Sequence, residues 1–296
     1  MMTLVRTFKK SFRKYRNPYL FISPFFILFI VFQLFPMAWT ASISFTKWNG
    51  MGEAESVGWQ NYKMMFQDDM FWDAMTNTFI YWISAIVLII PLALLISVLL
   101  TYKKLRGKLF FTSVSFFPYV CAAVAVGLIF NMMFDYNSGI INEILGSFDI
   151  LPVEWLTSIS TSKIPVIILN VWRHTPWFTL IIVSGLLSIS EDYYESARID
   201  GANALQQFFK ITVPSLGNIL FFCTIIITVD SWNIFTEPFI LKGPGTSNIS
   251  LFQYMYTNSF VLFKFGYAAA IGYVLTLILF VLSVLQFFLL RKQGDV

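Results

Sequence analysis

Apolar residues in this chain gather into six runs, near 20–45, 76–101, 109–134, 164–189, 215–240 and 266–290, with polar residues largely confined to the stretches between them. Each run is about as long as a helix must be to cross a hydrocarbon core of ~30 Å. The pattern therefore predicts an all-α membrane protein with six transmembrane helices. Pro24, Pro36, Pro91 and Pro118 fall inside runs, where neighbouring helices can satisfy the backbone groups that proline frees. One connection is out of scale with the others. Ser190–Pro214, between the fourth and fifth runs, carries Glu191, Asp192, Glu195, Arg198, Asp200, Asn203, Gln206, Gln207 and Lys210. Ser190 can cap a helix whose first turn holds Glu191 and Asp192, next to the positive end of the helix dipole. Gly201 permits a turn, and Ala202, Leu205, Phe208 and Phe209 then form one apolar stripe on a second helix that Pro214 closes as the fifth span begins. Periodicity alone leaves two readings open, an amphipathic helix resting on headgroups and a helix that docks onto another protein.

Composition agrees with the pattern. Hydrophobic residues make up 57% of the 296 and charged residues 12%, with a mean hydropathy of +0.70, whereas soluble domains carry roughly 25% charged residues. The distribution of charge orients the chain. With the N-terminus inside, the cytoplasmic segments hold Arg6, Lys9, Lys10, Arg13, Lys14, Arg16, Lys103, Lys104, Arg106, Lys108, Arg198, Lys210, Arg291 and Lys292. The outer loops hold Lys47, Lys63, Lys163, Lys242 and Lys264 among many carboxylates, and Trp39, Trp48, Trp59, Trp72 and Trp155 fall near the outer interface. This is the positive-inside pattern with an aromatic belt, so both termini and Ser190–Pro214 are expected in the cytoplasm. Residues 1–18 interleave basic residues with Leu4, Phe8, Phe12 and Tyr15, as in an amphipathic helix on an anionic leaflet. A signal peptide is the alternative, but the residues after the first run lack a small-x-small cleavage site. The chain thus divides into this basic segment and a six-helix domain over 19–296.

Candidate chemistry is sparse. Cys121 and Cys223 both lie in apolar runs, as small buried hydrophobes do. There is one histidine, no metal-ligand spacing, no nucleotide-binding G-x-x-x-x-G-K-[ST] loop and no nucleic-acid-binding signature. Uphill transport would therefore draw on an ion gradient or a partner subunit. Ionisable residues inside spans cost roughly 2.5–3.5 kcal/mol each on insertion scales and ask for a reason. Arg173 and His174 in the fourth span and Asp230 and Glu237 in the fifth are such residues. Glu237, near the outer end, is expected to snorkel to water. Asp230 stands sixteen residues beyond Pro214, ~24 Å of helix rise, which would let it meet Arg173 in the outer half of the membrane. The pair is then either a structural tie between two spans or part of a water-accessible cavity.

The register Glu195-Ser196-Ala197, three residues, Gly201, nine residues, Ile211-Thr212-Val213-Pro214 resembles the E-A-A-x3-G-x9-I-x-L-P signature of permease subunits of binding-protein-dependent ABC importers. Ser196 and Val213 depart from it conservatively. Ser23-Pro24, Phe45-Thr46-Lys47-Trp48, Val57-Gly58-Trp59-Gln60-Asn61-Tyr62, Asn77-Thr78 and Phe265-Gly266-Tyr267-Ala268-Ala269-Ala270 are similar to the carbohydrate branch, and more narrowly to maltose-permease F-type subunits. The resemblance implies a type I importer permease (MetI-like) fold in the bacterial cytoplasmic membrane. It also implies a G-type permease partner, two cytoplasmic ATPase subunits that bind ATP and Mg, and an extracytoplasmic sugar-binding protein. This chain itself would be non-catalytic and hold no cofactor or metal. Ser190–Pro214 would be the coupling helix, with Glu195 anchoring it, Gly201 bending it, and Ser196, Ala197, Asp200, Ala202, Leu205 and Phe208 seated in the ATPase up to Pro214. The sugar path would be lined by Arg173, His174, Trp177, Asp230, Ser231 and Asn233, whose arginine and histidine would favour an acidic sugar. An ion-coupled secondary transporter is the rival; it is expected to show inverted repeats, and none is evident. A membrane enzyme would need converging Asp, His or Cys groups that His174 alone does not supply.

Overall fold

A computed structural model describes residues 17–102 and 105–291. The amphipathic helix expected over residues 1–18 falls almost wholly outside them, as do Lys103, Lys104 and Lys292. Among the described residues five helices are long and apolar enough to cross a membrane: α1 (Asn17–Ile43), α3 (Asp69–Thr101), α7 (Lys163–Leu186), the pair α10 (Gly217–Trp232) and α11 (Thr236–Ile240), and α13 (Phe265–Arg291). Shorter helices lie between them: α2 (Gln60–Phe66), α6 (Ile140–Gly146), α8 (Glu191–Ile199), α9 (Ala204–Gln207) and α12 (Leu251–Tyr256). Thr46–Lys47 and Glu55–Ser56 form a small antiparallel pair.

The third run differs from the straight span expected over 109–134. It is two helices, α4 (Lys108–Val120) and α5 (Ala123–Met133), meeting at 90°. Cys121 and Ala122 are extended at the break, three residues after Pro118. The bond that Pro118 cannot make is to the Val114 carbonyl, one turn before the break; the helix still closes the Cys121 N–H on the Phe117 carbonyl at 3.3 Å and ends there. Elsewhere the chain absorbs proline more gently. The helices continue through Pro91 and Pro176, while Pro36 and Pro214 each follow a π turn, Ile30–Leu34 and Phe208–Thr212, where the widened ladder accommodates the missing donor.

Spans two and four pack side by side, and the start of span five closes on both. Ala85, Ile89 and Ala93 recur every four residues on α3 and meet Phe178 and Ile182 of α7, with Leu216, Cys223 and Ile227 completing a buried cluster. Small residues on such a stripe let helices approach closely in lipid. Polar ties fix the register. Ser97 Oγ donates to the Thr179 carbonyl at 2.9 Å, and Thr228 Oγ1 accepts from Trp82 Nε1 at 2.9 Å and Gln286 Nε2 at 2.7 Å, joining α3, α10 and α13. By contrast α1 leaves its apolar residues almost wholly exposed, and only its last part lies against α13.

The end of the bundle remote from Ser190–Pro214 is knitted by buried amides. Asn61 donates to the carbonyls of Ser44 and Thr46 at 2.8 and 2.9 Å. Asn77 donates to Thr246 and Ile249 at 2.8 and 3.0 Å, and Thr78 Oγ1 accepts the Leu251 N–H at 2.8 Å. Gly266 admits the Thr46 backbone: a Cβ there would lie 1.9 Å from that carbonyl oxygen. Asp68 caps α3 and accepts from the hydroxyls of Tyr254 and Tyr267. Burial works against its charge, but these hydroxyls and the Met70 and Phe71 N–H groups prevail and hold its carboxyl below the usual range. Asn61, Asn77, Thr78, Gly266 and Tyr267, among the residues matched to the carbohydrate branch, thus sit in this layer.

Candidate functional site

The connection between spans four and five folds as a helix-turn-helix. Ser190 Oγ accepts from the Asp192 N–H at 3.3 Å, Glu191 and Asp192 occupy the first turn of α8, and Arg198 the last, each sign matched to the helix dipole. Gly201 follows with φ +80°, and no atom lies near the place of its Cβ. Conformation rather than crowding therefore asks for glycine here. Asn203 and Gln206 cap α9 reciprocally at 2.9 and 2.8 Å, a capping box. The second helix continues through the π turn and Pro214, and the backbone breaks at Leu216. The fifth span thus starts at Gly217 rather than directly at Pro214, which instead opens a separate short turn, Val213–Ser215, at a position where proline is tolerated.

The two helices of the segment are held together by Tyr194 and Thr212, whose hydroxyls lie 3.0 Å apart, and by Gln207 Nε2 donating to the Ala202 carbonyl at 2.9 Å. Leu216 anchors the whole into the cluster with Phe178 and Ile182. What faces away is unusual for a polar connection. Ile199 is 88% exposed, Leu205 70% and Phe209 64%. Glu195, Ser196, Asp200 and Gly201 are exposed as well, while Ala197, Ala202 and Phe208 are half-buried. Tyr194 and Thr212 escape a reading for apolar stripes, since their role is a side-chain contact across a turn.

The ionisable residues inside the spans meet differently from the expectation. Arg173 does not pair with Asp230. Its Nη1 donates to Glu237 Oε1 at 3.1 Å, and His174 Nε2 faces the same oxygen at 3.6 Å. Nor does Glu237 snorkel to water: it is buried, 4% exposed. The cause is the break between α10 and α11. The helix stops at Trp232, and Asn233–Phe235 turn the chain so that α11 packs against α5 and α7, carrying Glu237 inward. Arg173 Nε stays buried without a partner.

Asp230 is exposed, and among the described residues its carboxylate takes no hydrogen bond and no ion pair. Asn233, one turn further on, is also exposed and lines a cavity of about 660 Å³ with Trp39, Trp48, Ser259, Phe265 and Tyr273. Ser231 is instead buried, 3% exposed, and so withdrawn from the face that Asp230 and Asn233 share. Trp177 stacks on Tyr119 of the broken span, 5.2 Å between centroids at 17°, a partner that lies 58 positions earlier in the chain and that no local pattern marks. Among the described residues no group of three or more His, Cys, Asp or Glu side chains is placed to hold a metal ion.

Comparison with known proteins bears on the chain as a whole. The family described as "Binding-protein-dependent transport system inner membrane component" matches residues 89–294. The lactose transport system permease protein LacF of Rhizobium radiobacter is 31% identical over 299 residues, covering 98% of this chain and all of that one. The multiple sugar-binding transport system permease protein MsmF of Streptococcus mutans is 33% identical, covering 97% and 99%. Among solved structures, a chain of a bacterial alginate ABC transporter in complex with its alginate pentasaccharide-bound periplasmic protein superposes with a TM-score of 0.83 at 19% identity, covering 97% of this chain and 98% of that one.

Proposed function

We infer the role of this chain from its membership: it belongs to the family of binding-protein-dependent transport system inner membrane components. It is a multi-pass permease of the cytoplasmic membrane with the type I importer fold. As the names of its relatives suggest, it imports a carbohydrate. We propose that the chain forms half of the pathway beside a second, G-type permease, and that two cytoplasmic ATPases supply the energy. A sugar-loaded extracytoplasmic receptor would deliver cargo to the end staples near Asn77 and Asn61. The chain itself would catalyse nothing; ATP and Mg would bind to its partners.

The observation that carries this reading is the Ser190–Pro214 segment, a self-capped helix-turn-helix with Ile199, Leu205 and Phe209 exposed at the membrane end where Arg106 and Lys108 also lie. Basic residues at this end support a cytoplasmic placement. Apolar side chains there need a partner to cover them. Seated in an ATPase, Glu195, Ser196 and Asp200 would make its polar contacts, and Ala197, Ala202, Leu205 and Phe208 its apolar ones, with Gly201 setting the bend. When two ATPases close on ATP, the segment would be displaced. Because Leu216 is locked against span four, the movement passes through Pro214 into span five and changes the exposure of Asp230 and Asn233. Arg173 and His174 serve in this scheme as the base of the pathway wall, and Trp177 with Tyr119 as an aromatic surface suited to a sugar face.

A strain lacking its own importers, supplied with this chain, the second permease, the ATPases and the receptor, tests the class of cargo. Uptake of labelled lactose, arabinotriose or diacetylchitobiose that vanishes when this chain is omitted is the expected result. Undiminished uptake without this chain would overturn the assignment.

A further inference from the structure

The four ionisable groups inside the spans divide into a used set and an unused one. Glu237, buried, receives both basic side chains of span four on one oxygen, with Arg173 at 3.1 Å. Asp230, exposed, is left with neither hydrogen bond nor ion pair among the described residues. The one carboxylate of this group left unpaired is thus the accessible one. The count of basic residues in span four points to an acidic cargo; their pairing reverses it.

We propose that the pathway selects by charge, passing neutral sugar chains and resisting those that carry carboxylates, and that Asp230 is the residue that sets this preference. The inference rests on the reading of Asp230 and Asn233 as pathway-lining. A sugar hydroxyl can donate to an unpaired carboxylate, a charge-assisted bond stronger than a neutral one. A uronate would meet it with like charge one turn from Asn233, whose cavity is walled by Trp39, Trp48 and Phe265, a setting where repulsion is screened less than in bulk water. Arg173 cannot compensate while Glu237 holds it.

The test reads the field of the pathway directly. In the complete transporter, Cys121 and Cys223 are replaced by alanine and Asn233→Cys places one thiol a helical turn from Asp230. Its modification rates with trimethylammonium-ethyl and sulfonato-ethyl methanethiosulfonate are each normalised to the rate with 2-mercaptoethanol. A unit charge ~6 Å away should favour the cation over the anion by about three- to tenfold, and Asp230→Asn should remove that preference. An anion preference in the parent, or a ratio unmoved by Asp230→Asn, would overturn the charge assignment. The pathway reading is checked separately on the same protein. If the thiol reacts with neither reagent, or if its modification leaves lactose, arabinotriose and diacetylchitobiose uptake unchanged, the pathway reading itself falls, and the proposal with it.

Discussion

At Glu237 one carboxylate oxygen faces both an arginine and a histidine in a setting that is 4% exposed. Span four and α11, the outer part of span five, are joined through that oxygen. Removing one partner of a buried ion pair strands the other, at a cost of about 3 kcal/mol or more. Glu237→Ala is therefore expected to lower the thermal unfolding midpoint of the purified transporter in nanodiscs by several degrees. Arg173→Met combined with Glu237→Met should recover much of the loss, since neither member of the Arg173–Glu237 pair is then stranded. A midpoint unaffected by Glu237→Ala would contradict the pairing. The sequence shows that these ionisable residues need a reason, because each is costly in lipid. It does not show which meets which. Counting helix rise along an unbroken span five selects Asp230 for Arg173 and leaves Glu237 at the surface. The turn at Asn233–Phe235 reverses that choice; its local sign is Pro238, which cannot bond the Ile234 carbonyl and leaves it to Ser250 Oγ.

The elements were more legible where a pattern is local. Ser190, Gly201, Asn203 and Pro214 announce two capped helices and the turn between them, because capping and left-handed backbone depend on neighbours in the chain. The π turn at Phe208–Thr212 and the Tyr194–Thr212 contact escaped, one being a matter of one hydrogen bond's reach and the other a contact across a turn. Likewise Pro118 was visible but not the 90° break after it; Pro91 and Pro176 stand in equally apolar helices and cause none. Tertiary packing decides between these outcomes. The exposure of Leu205 makes an element-scale prediction. Leu205→Asp places a charge where an apolar side chain is 70% exposed, so the fold should tolerate it. Its expected effect is loss of ATPase co-purification with normal insertion of the chain, measured by affinity capture from solubilised membranes. Retention of the ATPase at wild-type yield would contradict a docking role for this face.

At the scale of the whole molecule the chain is a lever with two ends. Buried amides of Asn61, Asn77 and Asn248 staple one end. At the other, the Ser190–Pro214 segment stands clear with its apolar residues uncovered, and α1 leaves the bundle to lie open. Six apolar runs were enough to foresee this class of fold, because the bilayer imposes span length on any sequence that crosses it. Which surfaces await partners is written only in exposure, which a hydrophobic pattern cannot distinguish from contact with lipid. The central claim is that ATP-driven work enters through the segment between spans four and five. Receptor-stimulated ATP hydrolysis by the assembled transporter, reconstituted with Glu195→Lys or Gly201→Pro, tests it most directly. The account predicts normal membrane insertion with stimulation abolished in both variants; full stimulation and normal transport in either would contradict it.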